Sequence, residues 1–316
     1  MNNIKKIMVT GSNGFIGRNV LIELQNQKDK YKLCGIDIGV NANNSILSRY
    51  YSLDLINESI KTAVEEFEPD VIIHCAGLAD VNKSVVNPSL DFKFNVEVTQ
   101  NIIYDLIALQ YKKRVVFLSS AAVYGQPQSL PITECFSKRP MSPYALHKSI
   151  AEEICQFAHN IYGIDIVILR VFSAYGDGLK KQLLWDMCNK YKNNKSIVLY
   201  GNGNESRDYI HIFDLRRVIA NIATFNGKLK YNIYNVASGK ETTIKEIANI
   251  FVEIINDPDC SVVFSNIEHK GNPSNWCADI GRLSEFGFST KINMFEGINK
   301  YINWFNTEGK DEKIRF

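Results

Sequence analysis

Residues 5–18 read Lys5-Lys6-Ile7-Met8-Val9-Thr10-Gly11-Ser12-Asn13-Gly14-Phe15-Ile16-Gly17-Arg18. The apolar run Ile7-Met8-Val9 is strand-like, and the glycine-spaced turn after it opens a helix. Gly11 permits a tight turn, Gly14 lets backbone approach a pyrophosphate, and Gly17 allows close packing. The helix N-terminus, with Asn13, Phe15 and Ile16 around it, offers N–H groups and a positive dipole end to phosphate. The spacing G-x-x-G-x-x-G is one residue longer than the commoner dinucleotide fingerprint, and its place between strand and helix is what gives it weight.

Twenty residues past Gly17, Asp37 ends the next apolar run. A carboxylate there accepts both hydroxyls of an adenosine ribose and repels a 2′-phosphate, which favours NAD over NADP. A strand-end aspartate also starts turns. Asp54 and Leu55 fit an adenine contact in the loop further on.

Strands are expected at 5–10, 32–37, 71–76, 114–120 and 165–172, with helical pattern between most of them. Near-continuous apolar runs suit parallel strands covered on both faces, and right-handed crossovers then give a Rossmann-type, doubly wound α/β sheet. After residue 173, Gly, Asn and charged residues become more frequent. A helix from Ile212, a strand at 231–236, a helix from Thr243 and a last helix over 294–305 follow. The expected division is an NAD-binding domain over 1–172, with 212–240 returning to it. A smaller substrate lobe over 173–211 and 241–316 packs against that domain.

Composition removes other classes. The net charge is +2 with no charge block, so no basic face offers itself to nucleic acid. No apolar segment reaches the ~18 residues of a membrane span. The run before Thr10 is also shorter than a signal peptide needs. Seven cysteines without a C-x-x-C pair or a histidine at zinc spacing read as reduced thiols, with no metal and a cytoplasmic setting.

In Pro143-Tyr144-Ala145-Leu146-His147-Lys148 a phenol and an amine stand at i and i+4 on one helical face. An ammonium there favours phenolate and brings the phenol toward a working pKa. Ser119 and Ser120 end an apolar strand at the carboxyl edge of the sheet, where open α/β sheets bind ligands. A serine there can hydrogen-bond the oxygen that Tyr144 deprotonates. His74 reads as a satisfied core residue, His211 as structural, and His147 as pointing away from Tyr144. Trp185 and Trp276 line a pocket or fill a core.

With these pieces the chain resembles the extended short-chain dehydrogenase/reductases, and within them the nucleotide-sugar epimerases, dehydratases and ketoreductases. The matching segments are TGSNGFIG (10–17), HCAG (74–77), Asn95 with Thr99, SSAAVYG (119–125), SPYALHK (142–148), LRVFSAYG (169–176) and RDYIHIFDL (207–215). They stand in family order over roughly residues 4 to 216. Weaker agreement continues at 235–239 and Ala278-Asp279.

The resemblance implies Tyr144 as acid–base at a sugar hydroxyl, Lys148 as its partner and Ser120 as the third member. Ala76 and Gly77 would border the cofactor, and Asn95 would brace the central helix. Arg207 would hold the nucleotide diphosphate with its bidentate fork; outside the family, an arginine beside Asp208 is a surface ion pair. Ser173 stands where many members have asparagine, and Gln182-Leu183 stands for the usual Asn-Leu before the substrate-binding helix. Ala121-Ala122 replaces the Asp-Glu pair of the 4,6-dehydratases, so dehydration is not expected.

The expected activity is NAD-dependent epimerisation of a nucleotide-diphosphate sugar at C4, supplying surface polysaccharides, by a homodimer joined through the Asn95 and Tyr144 helices. An NAD(P)H-dependent 4-keto-6-deoxysugar reductase is the alternative, and a non-catalytic NAD-binding sensor the third.

Overall fold

The computed structural model describes residues 4–27, 29–40, 45–267 and 273–308. In chain order the first half runs β1 (Lys5–Thr10), α1 (Phe15–Gln25), β2 (Tyr31–Asp37), β3 (Arg49–Ser52), α2 (Lys61–Phe67) and β4 (Val71–His74). There follow α3 (Val81–Val86), α4 (Pro88–Phe92), a π-helical turn (Lys93–Glu97), α5 (Val98–Ala108), β5 (Arg114–Ser120), a 3-10 turn (Ala121–Tyr124), α6 (Pro143–Tyr162) and β6 (Asp165–Val171). The second half holds β7 (Ser173–Tyr175), α7 (Gln182–Asn194), β8 (Ser196–Leu199), β9 (Ser206–His211), α8 (Ile212–Thr224) and β10 (Ile233–Val236). It ends with β11 (Glu241–Thr243), α9 (Ile244–Ile255), β12 (Ser261–Phe264), α10 (Gly281–Glu285) and α11 (Met294–Thr307).

Seven parallel strands form the main sheet in the order β10-β6-β5-β4-β1-β2-β3. This is the doubly wound Rossmann arrangement, and its order reverses between β1 and β4. Strand alternation explains the two apolar layers. Ile7, Val9, Val116, Leu118, Val167 and Leu169 face α1 and α8, whereas Met8, Ile72, Phe117, Ile166 and Ile168 face α2, α5 and α6. Each such side chain contributes about 1.5–3 kcal/mol when fully buried.

A three-stranded sheet β11-β9-β7 and a parallel pair β12-β8 lie outside the main sheet. There α7, α9 and α11 enclose a third core with Met187, Phe251, Ile298 and Tyr301. Although distant in sequence, α8 and β10 belong to the large sheet's layers: β10 pairs with β6 and α8 packs on α1.

Three expected strands are shorter at one end than the sequence pattern. Gly77 adopts φ 145°, so β4 stops at His74; β6 stops at Val171, and the 231–236 strand begins at Ile233. The edge strand β3 carried no apolar run to announce it, since its Arg-Tyr-Tyr-Ser is half-exposed. No described helix is long and apolar enough to cross a membrane.

Candidate active site

The order reversal between β1 and β4 opens a crevice at the carboxyl ends of the strands, and the glycine turn lies there. Gly11 has φ 67°, and a Cβ on it would meet Ala76 N at 2.7 Å. On Gly17 a Cβ would meet the Gly11 carbonyl at 2.2 Å. α1 starts with no side-chain cap and no acid in its first turn, which suits an anion at its N-terminus. Asp37 reaches this turn: its Oδ2 accepts from Asn13 N at 2.8 Å and its Oδ1 from Ile38 N at 2.8 Å, while burial pushes its carboxyl pKa up. Phe15 and Ile16 form the first helical residues and pack on the core.

Asp54 uses its carboxylate locally, accepting from Ile56 N at 3.1 Å and Asn57 Nδ2 at 2.7 Å, and Leu55 is a core residue. Ala76 N donates to Thr10 Oγ1, and Gly77 leads the chain out of β4 toward Asn95. The glycine turn at Gly11, Gly14 and Gly17, beside an uncapped helix and the Asp37 carboxylate, fits a dinucleotide pyrophosphate.

The Ser142-Pro143 start of α6 fixes the next group. Ser142 Oγ accepts from Ala145 N and Pro143 takes the first helical turn, so Tyr144 and Lys148 enter from one face of a well-capped helix. Tyr144 is buried beside Ser120, which acts on its phenol, and Ser120 Oγ accepts from Ala122 N at 3.2 Å. Lys148 Nζ donates to Leu118 O at 3.0 Å and lies 5.1 Å from the Phe117 ring centroid.

The expected lowering of the phenol does not occur. Burial pushes Tyr144 up to about 12, with Ser120 the opposing influence, and burial brings Lys148 down to about 8. Two charged forms are disfavoured together because both groups sit in a dry wall and the amine is turned toward Leu118 O. Ser119 differs from its neighbour: its hydroxyl donates to Glu152 at 2.6 Å, in a buried network with Arg170, Tyr124 and Asn235. Glu152, one turn beyond Lys148, thereby ties α6 to β5 and β6.

Arg207 lies on β9, where successive side chains face opposite ways. It is not paired with Asp208. Its guanidinium stands 5.5 Å from the Trp276 ring centroid and donates to Ser206 O and Ser274 O. Asp208 instead accepts from Ser238 N, Ser238 Oγ, Gly239 N and Ala278 N at 2.7–3.1 Å. Ser173 begins β7, in register with Tyr209 of β9. Gln182 and Leu183 are the first two residues of α7 rather than residues before it, Gln182 with φ 68°.

The sequence pattern of the NAD dependent epimerase/dehydratase family matches residues 7–237. The chain belongs to this family. It is 28% identical to a UDP-glucuronate 4-epimerase of Thermodesulfobacterium geofontis, over 94% of this chain and 95% of the relative. It is 30% identical to the bifunctional UDP-glucose and UDP-xylose 4-epimerase 3 of Arabidopsis thaliana, over 78% of this chain and 80% of that one. Among solved structures, the UDP-N-acetylglucosamine 4-epimerase of Methanobrevibacter ruminantium in complex with UDP-N-acetylmuramic acid superposes with a TM-score of 0.85. That pair shares 27% identity and covers 98% of this chain and 100% of the other.

In this family member the site contains groups the sequence left unassigned. Lys181, at the start of α7, reaches across to donate to Ala79 O beyond β4, and burial lowers its pKa. Trp276 is a wall of the Arg207 side: its Nε1 donates to Gly125 O and its ring meets Phe172 edge-on. His74 bridges Thr10 and Thr99, and His211 caps α8. His147, expected to point away, is buried against Asp91. Trp185 packs with Trp304 and Phe305 in the third core. Ala121 and Ala122 start the 3-10 turn, so no carboxylate stands where the dehydratase pair would.

Proposed function

We propose that the protein epimerises a UDP-hexose at C4, with NAD held in the glycine cradle. The observation that carries this is the buried Tyr144 beside Ser120 at the carboxyl end of β5, with Lys148 one helical turn further on α6 and alanines at 121 and 122. The match to several UDP-sugar 4-epimerases, over 78% to 98% of this chain, supports it.

Gly11, Asn13, Gly14, Phe15, Ile16, Gly17 and Asp37 hold the cofactor's adenosine and pyrophosphate half, with the Asp54-Leu55 turn beside the adenine. Ala76, Gly77, Asn95, Tyr144 and Lys148 border its other end. Bound there, NAD would supply the hydride acceptor at a sugar carbon and, in its reduced form, the hydride donor. Tyr144 as phenolate removes the proton of the sugar's 4-hydroxyl, and Ser120 donates to the same oxygen. Lys148, as ammonium one helical turn from Tyr144, favours the phenolate. Tyr144 then gives the proton back to the same oxygen as the 4-hydroxyl re-forms with inverted configuration. Arg207, stacked on Trp276, fits the anionic diphosphate, and Ser173, Gln182 and Leu183 border the sugar.

The same reading makes the protein a cytoplasmic homodimer supplying sugars for surface polysaccharide. Its seven cysteines are free, and Tyr104 of α5 with Phe157 and Ile161 of α6 expose apolar surface for a partner copy. The division into a cofactor domain (1–172 with 212–240) and a sugar lobe (173–211 with 241–316) is part of this proposal.

The purified protein is incubated with UDP-glucose, UDP-N-acetylglucosamine and UDP-glucuronate, and isomers are separated by anion exchange. Interconversion without added NADH supports the proposal. Oxidation of added NADH only with a 4-keto sugar, and no interconversion, overturns it.

A further inference from the structure

Asp91 and His147 are the buried ionisable pair that the proposed reaction leaves unused. Asp91 of α4 is fully buried, and its Oδ2 lies 2.6 Å from His147 Nδ1. A carboxylate oxygen accepts, and the Nδ1–H form of the imidazole satisfies it. The other oxygen, Oδ1, is buried without a hydrogen-bond partner among the described residues. A carboxylate buried with one donor is costly, and apolar packing alone gives no reason to keep it.

Its surroundings connect it to Lys148. The Asp91 carbonyl accepts from Asn95 Nδ2 at 3.2 Å, and the same amide donates to Leu78 O at 2.9 Å. A Cβ on Gly77 would stand 2.9 Å from Asn95 Oδ1 and 3.5 Å from Lys148 Nζ, so these two side chains share one corner. His147 is the residue before Lys148 and packs edge-on against Phe92.

The titratable groups acting on Lys148 are Cys75 beyond β4, Cys155 and Glu152 of its own helix, and Asp91 of α4. Burial raises both thiols well above neutrality, so neither carries charge. Glu152 is matched by Arg170 of β6 and by Lys138. Asp91 therefore supplies the anion of this group that has no Arg or Lys partner of its own among the described residues.

We propose that Asp91 is a positioning residue for Lys148: gripped by His147, its carboxylate is the buried counter-charge of the ammonium and pins α6 to the Asn95 turn. Asp91→Asn keeps an acceptor for His147 and removes the charge. His147→Gln keeps a donor to Asp91, and His147→Leu removes it.

The test is an NMR pH titration of protein labelled with [ε-13C]lysine, with Lys148→Met used to identify the resonance. The wild-type midpoint is expected at about 8. Asp91→Asn lowers it by roughly one unit, the smaller end of what a nearby opposite charge confers. His147→Gln stays close to wild type, and His147→Leu follows Asp91→Asn. If Asp91→Asn does not fold, the two His147 variants decide. An unmoved Lys148 midpoint in folded Asp91→Asn, or in His147→Leu, overturns the proposal.

A kinetic arm rests on the epimerase reading: the alkaline limb of kcat moves with the Lys148 midpoint while KM changes less than about twofold, as for a group outside the substrate contact. Wild-type protein without turnover on any UDP-hexose sinks that reading alone, because the titration still decides the role of Asp91.

Discussion

Lys148→Met is expected to make the protein more stable at neutral pH while removing its activity. Lys148 is 6% exposed, and burial brings its pKa from 10.5 to about 8. In the unfolded chain the amine titrates near its ordinary value of about 10.4. Between about pH 8 and 10.5 the unfolded state therefore holds more protons than the folded one, and stability rises with pH across that window. Below about pH 8 the folded protein bears the full cost of the charge. At ~1.4 kcal/mol for each unit, that cost is about 3 kcal/mol, with the attraction to Asp91 already included.

Methionine removes the charge and keeps an unbranched stem of similar length. It forfeits the hydrogen bond to Leu118 O at 3.0 Å, worth about 1 kcal/mol. The expected gain is about 2 kcal/mol at pH 7, shrinking steadily above pH 8 and changing sign at about pH 9.7, where the remaining charge cost equals the lost hydrogen bond. Urea unfolding followed by tryptophan fluorescence at pH 7, 8, 9 and 10 measures it for both proteins. A variant less stable than wild type at pH 7, or a difference that does not vary with pH, would refute the reasoning. The group needed by the reaction is then one that folding alone disfavours.

Tyr144→Phe is expected to lower kcat for sugar interconversion at least ~10²-fold, the low end for losing an acid–base group, with sugar-nucleotide binding kept; an unchanged kcat excludes Tyr144. Gly17→Ala drives a Cβ into the Gly11 carbonyl, 2.2 Å away, and opens the cradle. NAD affinity, read by calorimetry, should fall at least ~10-fold, or about 1.4 kcal/mol. Glu152→Ala strips Arg170 of its carboxylate inside the core and should lower unfolding free energy by about 3–5 kcal/mol in the same urea assay. Arg207→Lys keeps the charge but loses the planar fork over Trp276, so KM should rise roughly tenfold with kcat little changed.

Local rules explain what the sequence revealed. The five main strands, the glycine turn and the helical Tyr144–Lys148 pair each depend on residues within a few positions, and the fold places them within two residues of the expected bounds. β3 escaped because an edge strand with one half-exposed face shows no apolar run. The Tyr144 phenol escaped for another reason. An i, i+4 partner predicts its field, but the direction of the amine and the depth of burial are tertiary facts, and here they oppose the expected shift. The Asp91–His147 pair joins residues 56 apart in the chain through the packing of α4 on α6. No spacing rule within one helix could anticipate it.

The Arg207–Asp208 neighbours show why charge proximity in sequence misleads on a strand. Pairing them requires both side chains on one face, which a two-residue repeat forbids. The alternation gives each a separate task. Asp208 turns away and collects four donors from residues 238, 239 and 278, which ties the 276–279 segment to β9. That segment carries Trp276, the ring over which Arg207 stands on the opposite face. The acid thus builds the support that orients its neighbour, and it does so while burial raises its own pKa. Asp208→Asn should therefore disturb Arg207 without touching the diphosphate. It offers one fewer acceptor oxygen to these donors, so KM should rise as in Arg207→Lys, together with a loss of about 1–3 kcal/mol of stability that Arg207→Lys does not share. A normal KM in Asp208→Asn, measured by sugar interconversion, would break the link between the two faces of β9.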